Sequence, residues 1–403
     1  MRPPRGPALV AARAVVGIAL LVAAVLAIVR PRQDFDLMAY VGVVHAYDTN
    51  DPEIARAKTV DDLRTELTDE RFAWMVGRDH PDSYAHAMAH DARSFAQQLV
   101  WFRGRPLYTR SAWALSKVGI RVPRALHLVA LFASLALGLV FFRATSRLPT
   151  PWHRLAAWVL VAACFHLDEL AASPMCDPLS ALLVVSGTLM VFRSLDTSSF
   201  GPSPARPEGA RPSALAFARV GLVLLVLAVS ARTDNTMYVA TVAAFLFSVR
   251  KRLPGSSSTR LAYEAVGAAA IAVVLRAFVE RHSYGWAKLV HFRRVDVAKF
   301  PADSHAELDL HTYLGIVKSW FFELYTCEVV AIFVFALVLA RAHSRARAKR
   351  PFVAYGMLMV PLALVRFFAF PDWDYRFFVA PLGLFLVAAA EALFTAEEAV
   401  RVD

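Results

Sequence analysis

Apolar residues run through this chain in long blocks separated by short polar segments. A helix that crosses a bilayer takes roughly 20 apolar residues at about 1.5 Å each. Runs bounded by charged or turn residues fall at 9–29, 125–142, 155–170, 178–193, 214–231, 236–250, 262–279, 321–340, 352–370 and 377–395. They predict an all-α, polytopic integral membrane protein with about ten transmembrane helices. The third, fourth and sixth runs are short enough to be re-entrant or tilted. Residues 30–124 read as a large helical first outer loop, with amphipathic pieces around Asp61–Trp74 and Asp91–Phe102. Residues 194–213 are a flexible Pro/Gly/Ser linker, and residues 280–320 a second outer loop. The rest joins into one membrane domain over 1–403. No internal repeat is visible, so an inverted-repeat transporter finds no support.

Composition agrees: 57% of the 403 residues are hydrophobic and the mean hydropathy is +0.46. The net charge of +11 raises nucleic acid as a partner. The basic residues flank the apolar runs instead, and no nucleic-acid motif is present, so no nucleic acid is expected. Arg2 and Arg5 precede the first run; Arg143, Arg147 and Arg154 join the second and third; Arg206 and Arg211 lie between the fourth and fifth. Arg250, Lys251, Arg252 and Arg260 follow the sixth, and Arg341, Arg345, Arg347, Lys349 and Arg350 follow the eighth. With an even number of spans these segments share the side of both termini, which the positive-inside rule makes cytoplasmic. The first run ends in Ile28-Val29-Arg30-Pro31-Arg32 without a small-residue cleavage site, so an uncleaved span is expected over a signal peptide. Cys164, Cys176 and Cys327 form no metal spacing and no disulfide framework.

That topology gathers the charged motifs at span boundaries on the outer face. Asp34 and Asp36 follow the first span, Asp168 and Glu169 end the third, and Asp177 begins the fourth. Arg232 and Asp234 join the fifth and sixth; Asp374 and Arg376 join the ninth and tenth, with Arg366 about one turn inside the ninth. Short outer turns do tolerate carboxylates. That bland reading leaves unexplained an arginine one turn deep, which must find a partner or snorkel. A base must reach within about 3 Å of its proton, and a departing phosphate needs fixed positive charge, best supplied by arginine. Asp36 is the proposed base, with Asp34 as competitor; Arg376, Arg232 and Arg366 are candidate phosphate clamps. Tyr40, Asp168, Glu169, Asp177, Asp234 and Asp374 are candidate site-lining residues.

Four segments resemble the GT-C superfamily of polytopic glycosyltransferases. Asp36-Leu-Met-Ala-Tyr40 has an Asp followed by a Tyr four residues later in the first outer loop. Gly104-Arg105-Pro106-Leu107-Tyr108 is similar to the loop exit before the second span. Ser173-Pro-Met-Cys-Asp177-Pro178 resembles an acidic-residue–Pro start of a middle span, and Asp374-Tyr-Arg376-Phe-Phe-Val-Ala-Pro381 an Arg-aromatic entry to a late one. Many relatives carry two adjacent acidic residues where this chain has Asp-Phe-Asp. The resemblance implies an inverting transfer of a mannose-like or other sugar from a polyprenyl-phosphate sugar donor to a glycan, lipid or protein acceptor, with no obligatory metal or other cofactor. It places the site on the extracytoplasmic face of a cell-envelope membrane, of the bacterial inner or plasma type.

Rival readings come from other classes. A lipid or small-anion transporter or flippase would place charge near the bilayer midplane; a non-catalytic assembly subunit would leave the charged cluster without a role. His86 and His90, with Asp91 and His80, have a helical metal-ligand spacing but lack the Glu of the HExxH pattern, and a solvated helix face is the default. His166 reads as a polar helix end rather than a proton relay, and Trp286, Tyr284, Trp320 and Trp373 as an aromatic belt.

Overall fold

The computed structural model describes residues 6–198, 214–251, 256–304, 308–321, 326–343, 351–372 and 374–400. Most of the linker at 194–213, Trp373, and the basic residues Arg2, Arg5, Arg206, Arg211, Arg252, Arg345, Arg347, Lys349 and Arg350 lie outside the described residues. Among the described residues the chain is helical, with no strand. A first helix, α1 (Pro7–Val29), leads into a run of short helices: α2 (Asp36–His45), α3 (Pro52–Glu66), α4 (Asp69–Met75), α5 (Tyr84–His90), α6 (Ala92–Phe102) and α7 (Pro106–Lys117). Longer apolar helices follow: α8 (Val122–Ala144), α9 (Pro151–Cys164), α10 (Leu167–Ala172), α11 (Asp177–Ser198), α12 (Ala214–Ala231), α13 (Thr236–Val249) and α14 (Ser256–Glu280). The last group is α15 (Trp286–Arg294), α16 (Leu310–Phe321), α17 (Thr326–His343), α18 (Pro351–Met357), α19 (Met359–Ala369) and α20 (Val379–Val400).

Six stretches are long and apolar enough to cross a membrane: Pro7–Val29, Val122–Arg147, Asp177–Leu195, Ala214–Ala231, Ser258–Glu280 and Pro351–Ala369. The expected count of about ten also needs α9, α13, α17 and α20. Helices α9 and α13 have 14 residues each, about 21 Å at 1.5 Å per residue, short of a hydrocarbon core of roughly 30 Å. In α17 and α20 the apolar stretches are Glu328–Val338 and Val379–Phe394. Bands of exposed aliphatic residues run along the outsides of α1 and α14, among them Ile18, Leu21, Ile271 and Val274. Such surfaces suit lipid rather than water.

The segment between α1 and α8 folds as a helical cap with its own core. Asp51, Thr68, Ser83 and Asp91 each accept a backbone N–H from the first turn they open, at 2.8–3.3 Å. The Thr68 cap starts a new helix, so the amphipathic piece expected over Asp61–Trp74 is two helices, α3 and α4. Helix α2 is buried from Leu37 to Val44 and is the spine of this cap. The cap core continues into the first turns of α8 through Val122, Ala125 and Leu126, while Leu137 and Phe141 of α8 belong to the core of the bundle. One helix therefore ties cap to bundle. The segment 281–304 closes over α6: Gln98 donates to Ala298 O at 2.9 Å, Ser94 Oγ to Lys299 O at 2.6 Å, and Gln97 Oε1 accepts from Ala302 N at 2.9 Å.

Helices α11 and α12 are antiparallel and cross with almost no side chain between them. A Cβ on Gly187 would sit 2.7 Å from Gly221 O, and one on Gly221 2.6 Å from Gly187 O. Small residues at such a crossing let two apolar helices meet backbone to backbone. The glycines are ten residues from Asp177 and from Ala231, the residue before Arg232, so the crossing sets the ends of the two helices side by side. Pro361 lacks the N–H an uninterrupted helix would need, and the chain breaks at Leu358 between α18 and α19. Away from these ends, Arg193 of α11 holds Glu391 of α20 through both carboxylate oxygens and donates to Ala144 O at 3.0 Å.

Candidate functional site

The close crossing brings Asp177, at the start of α11, onto Arg232, at the end of α12, where the two form an ion pair. Arg232 also reaches Asp234 across its own tight turn, Nε to Oδ1 at 3.1 Å. Asp234 accepts a second guanidinium, from Arg366 in the last turn of α19, at 2.9 Å. Burial works to raise the Asp234 carboxyl, but Arg232 and Arg366 overcome it and hold it well below the ordinary carboxylate range. Phe377, in the turn before α20, gives its ring to three guanidiniums: Arg232 at 4.5 Å, Arg366 at 4.6 Å and Arg376 at 5.6 Å from the centroid. Five separate elements thus contribute to one charged layer at the end of the bundle.

Two donors in this layer have no acceptor among the described residues: Nη1 of Arg366, whose side chain is 5% exposed, and Oη of Tyr238 on α13. Both line a cavity bounded also by Asp177, Asn235, Arg232 and Arg376. Its volume, about 10 Å³, suits roughly one water. Buried donors left without partners are costly, and this cavity, where Arg366 Nη1 and Tyr238 Oη meet Arg232 and Arg376, suits an oxygen atom.

Arg376 lies between this layer and the cap. Asp374, two residues back, caps its N–H at 3.2 Å and takes its Nε at 2.6 Å, and one of its terminal nitrogens meets Met175 Sδ. Asp34 lies under the field of Arg376 and 3.7 Å from Arg32. Burial nevertheless holds the Asp34 carboxyl above its ordinary value, against both arginines. Asp36, at the first turn of α2, is half-buried and makes no hydrogen bond or ion pair among the described residues. Its charge is felt at Arg376, Arg105 and Tyr84. Asp36 thus presents unengaged carboxylate oxygens within the electrostatic field of a fixed guanidinium.

The other expected residues separate into three groups. Glu169 accepts from Arg32 and from Tyr375 Oη (3.0 Å), forming a second small network at the rim. Asp168 is exposed and stands apart. Tyr40 is a core residue, 1% exposed, edge-on to Phe102 and Tyr108 and donating to Cys176 Sγ at 3.4 Å. His166 adopts φ +44° at the corner between α9 and α10, where its ring lies 5.1 Å from Tyr375. His86 and His90 stack at 4.0 Å, and no group of three metal-binding side chains occurs among the described residues.

Sequence reasoning missed four participants. Arg105 packs over Tyr40 and Phe102 and donates to Trp101 O at 3.0 Å, and Asp36 offsets the cost of burying its charge. Its segment is named in the resemblance but Arg105 is given no role there, and an arginine before a proline that opens a helix was the available signal. Arg32 and Tyr375 flank named residues. Tyr238 carries no local signal, because a tyrosine within an apolar run looks like any core aromatic. No family model matches the chain, and no curated protein matches it in sequence.

Proposed function

We propose that the chain is a membrane glycosyltransferase of the GT-C kind, moving a sugar from a polyprenyl-phosphate donor to an acceptor hydroxyl at the extracytoplasmic boundary. The observation that carries this reading is the pairing of opposite capacities around Arg376. Arg366 and Tyr238 hold unused donors beside Arg376 and Arg232, and Asp36 holds an unused carboxylate beside Arg376. In the reaction the acceptor oxygen attacks the anomeric carbon as Asp36 takes its proton. The carbon–oxygen bond to phosphate breaks, and the lipid phosphate leaves with the electron pair. Charge grows on that phosphate in the transition state, where fixed guanidiniums stabilise it most. The sugar inverts because a single displacement occurs.

The direct test is transfer from a polyprenyl-phosphate sugar in membranes carrying Asp36→Asn. Loss of a positioned base lowers turnover by roughly 10²–10⁴-fold, with insertion and expression unchanged. Near-normal turnover in that variant removes Asp36 as the base and turns attention to Asp34, whose raised carboxyl pKa also suits proton exchange.

A further inference from the structure

A second cleft lies at the opposite end of the bundle from the candidate site. It opens between the first half of α1, the second half of α8 and the start of α9, and holds about 500 Å³, within the usual range for small-molecule sites. Its polar end is formed by Arg13, Arg143, Arg154 and Ser146. No Asp or Glu lines it. Arg13 and Arg143 make no hydrogen bond or ion pair among the described residues, and Arg154 is oriented by a 3.2 Å bond from Nε to Leu148 O. The apolar end is formed by Leu139, Phe142 and Gly17, and Gly17 leaves open space where a side chain would otherwise pack.

Three guanidiniums around one cleft repel one another, and nothing within the cleft offsets that repulsion. Arg13 and Arg143 are exposed and Arg154 is half-buried, so all three are reachable from outside the chain, and no carboxylate lines the cleft to pair with them. An anion that offsets their repulsion comes from outside the chain. The cleft runs from these guanidiniums onto apolar faces of α1 and α8, so the anion it fits carries a hydrocarbon tail. We infer that this cleft is a binding site for an acidic phospholipid, with its phosphate among Arg13, Arg143 and Arg154 and an acyl chain along α1 and α8 past Gly17. A zwitterionic lipid is a poor fit, because its ammonium would be pressed against the same three charges. Basic pockets between helices at a membrane surface recognise acidic head groups in this way.

The test uses the full chain, purified and reconstituted in phosphatidylcholine nanodiscs with or without phosphatidylglycerol, and read by native mass spectrometry for retained lipid. The native protein is expected to retain phosphatidylglycerol in preference to phosphatidylcholine. Arg13→Gln, Arg143→Gln and Arg154→Gln each lower that retention by about fivefold per guanidinium removed, and the matching Lys variants recover most of it. Gly17→Leu fills the apolar end without touching the charges and is expected to displace the lipid while leaving the fold intact. That variant stays informative if an arginine variant fails to insert. Equal retention of the two lipids, retention unchanged in Gly17→Leu, or displacement of the lipid by inorganic phosphate alone would each overturn the assignment.

Discussion

Asp234 is the hinge of the charged layer, and replacing it with Asn removes one charge while keeping the shape. Arg232 keeps Asp177 in that variant. Arg366, 5% exposed, loses the carboxylate 2.9 Å from its Nη2 and keeps only the Phe377 and Phe378 rings for its charge. Removing one partner of a fully buried pair costs about 3–5 kcal/mol. The Asp234 side chain is 36% exposed, so solvent screening brings the expected loss to about 2 kcal/mol. Denaturation in mixed micelles measures it, and the cycle Asp234→Asn, Arg366→Met and the double variant isolates the pair. The double variant is expected to be at least about 1 kcal/mol more stable than the sum of the single losses, because no stranded guanidinium remains. Acid adds a second readout. The folded carboxyl lies below its ordinary value, so its stabilisation is fully present above the unfolded pKa of about 3.9 and is lost as pH falls below it. Asp234→Asn should flatten that acid limb. Strict additivity within about 0.5 kcal/mol, with an unchanged acid limb, would refute the network.

Two further perturbations examine the frame that holds this layer. Gly221→Leu drives a side chain into Gly187 O, 2.6 Å from where its Cβ would sit; overpacking of this kind costs about 1–3 kcal/mol and should part Asp177 from Arg232, lowering any turnover as well as the denaturation midpoint. An unchanged midpoint would mean that α11 and α12 do not cross so closely. Glu391→Gln leaves Arg193 facing a neutral amide in a site where Glu391 is 1% exposed, and the expected loss is about 3 kcal/mol; the pair Arg193→Met with Glu391→Leu should restore most of it, since apolar replacements avoid burying charge.

The helices were legible because bilayer thickness writes itself into apolar run length. Among the described residues the runs correspond to helix, and six stretches are long and apolar enough to cross; α9 stops at Cys164 because the chain turns at His166, and no hydropathy rule marks that corner. The cap was legible in outline through the amphipathic pieces at Asp61–Trp74 and Asp91–Phe102, while the caps at Asp51, Thr68 and Ser83 went unread. What stayed hidden was the burial of α2. Its sequence, Asp-Leu-Met-Ala-Tyr-Val-Gly-Val-Val-His, has no polar stripe because it has no solvent face, and a short apolar run of that kind gives no periodicity to read. Tyr40 drew attention through the Asp-to-Tyr spacing of the resemblance, and its ring is packed in the cap core.

The burial of α2 changes what Asp36 is. A carboxylate on a mobile loop would find an arginine whenever one was near, and Arg376 and Arg105 are both within electrostatic reach. Asp36 forms neither pair, because the helix it begins is fixed from the next residue onward: Leu37, Met38, Ala39 and Tyr40 are all at most 3% exposed. Arg376 is fixed in turn by Asp374 and Met175, and Arg105 by Trp101 O and two rings. Rigid anchoring on both sides therefore keeps opposite charges close and uncombined. Asp34, two residues earlier and outside the helix, lacks that restraint and lies within 3.7 Å of Arg32. The same three-residue segment thus yields one carboxylate drawn toward a cation and one held away from any partner.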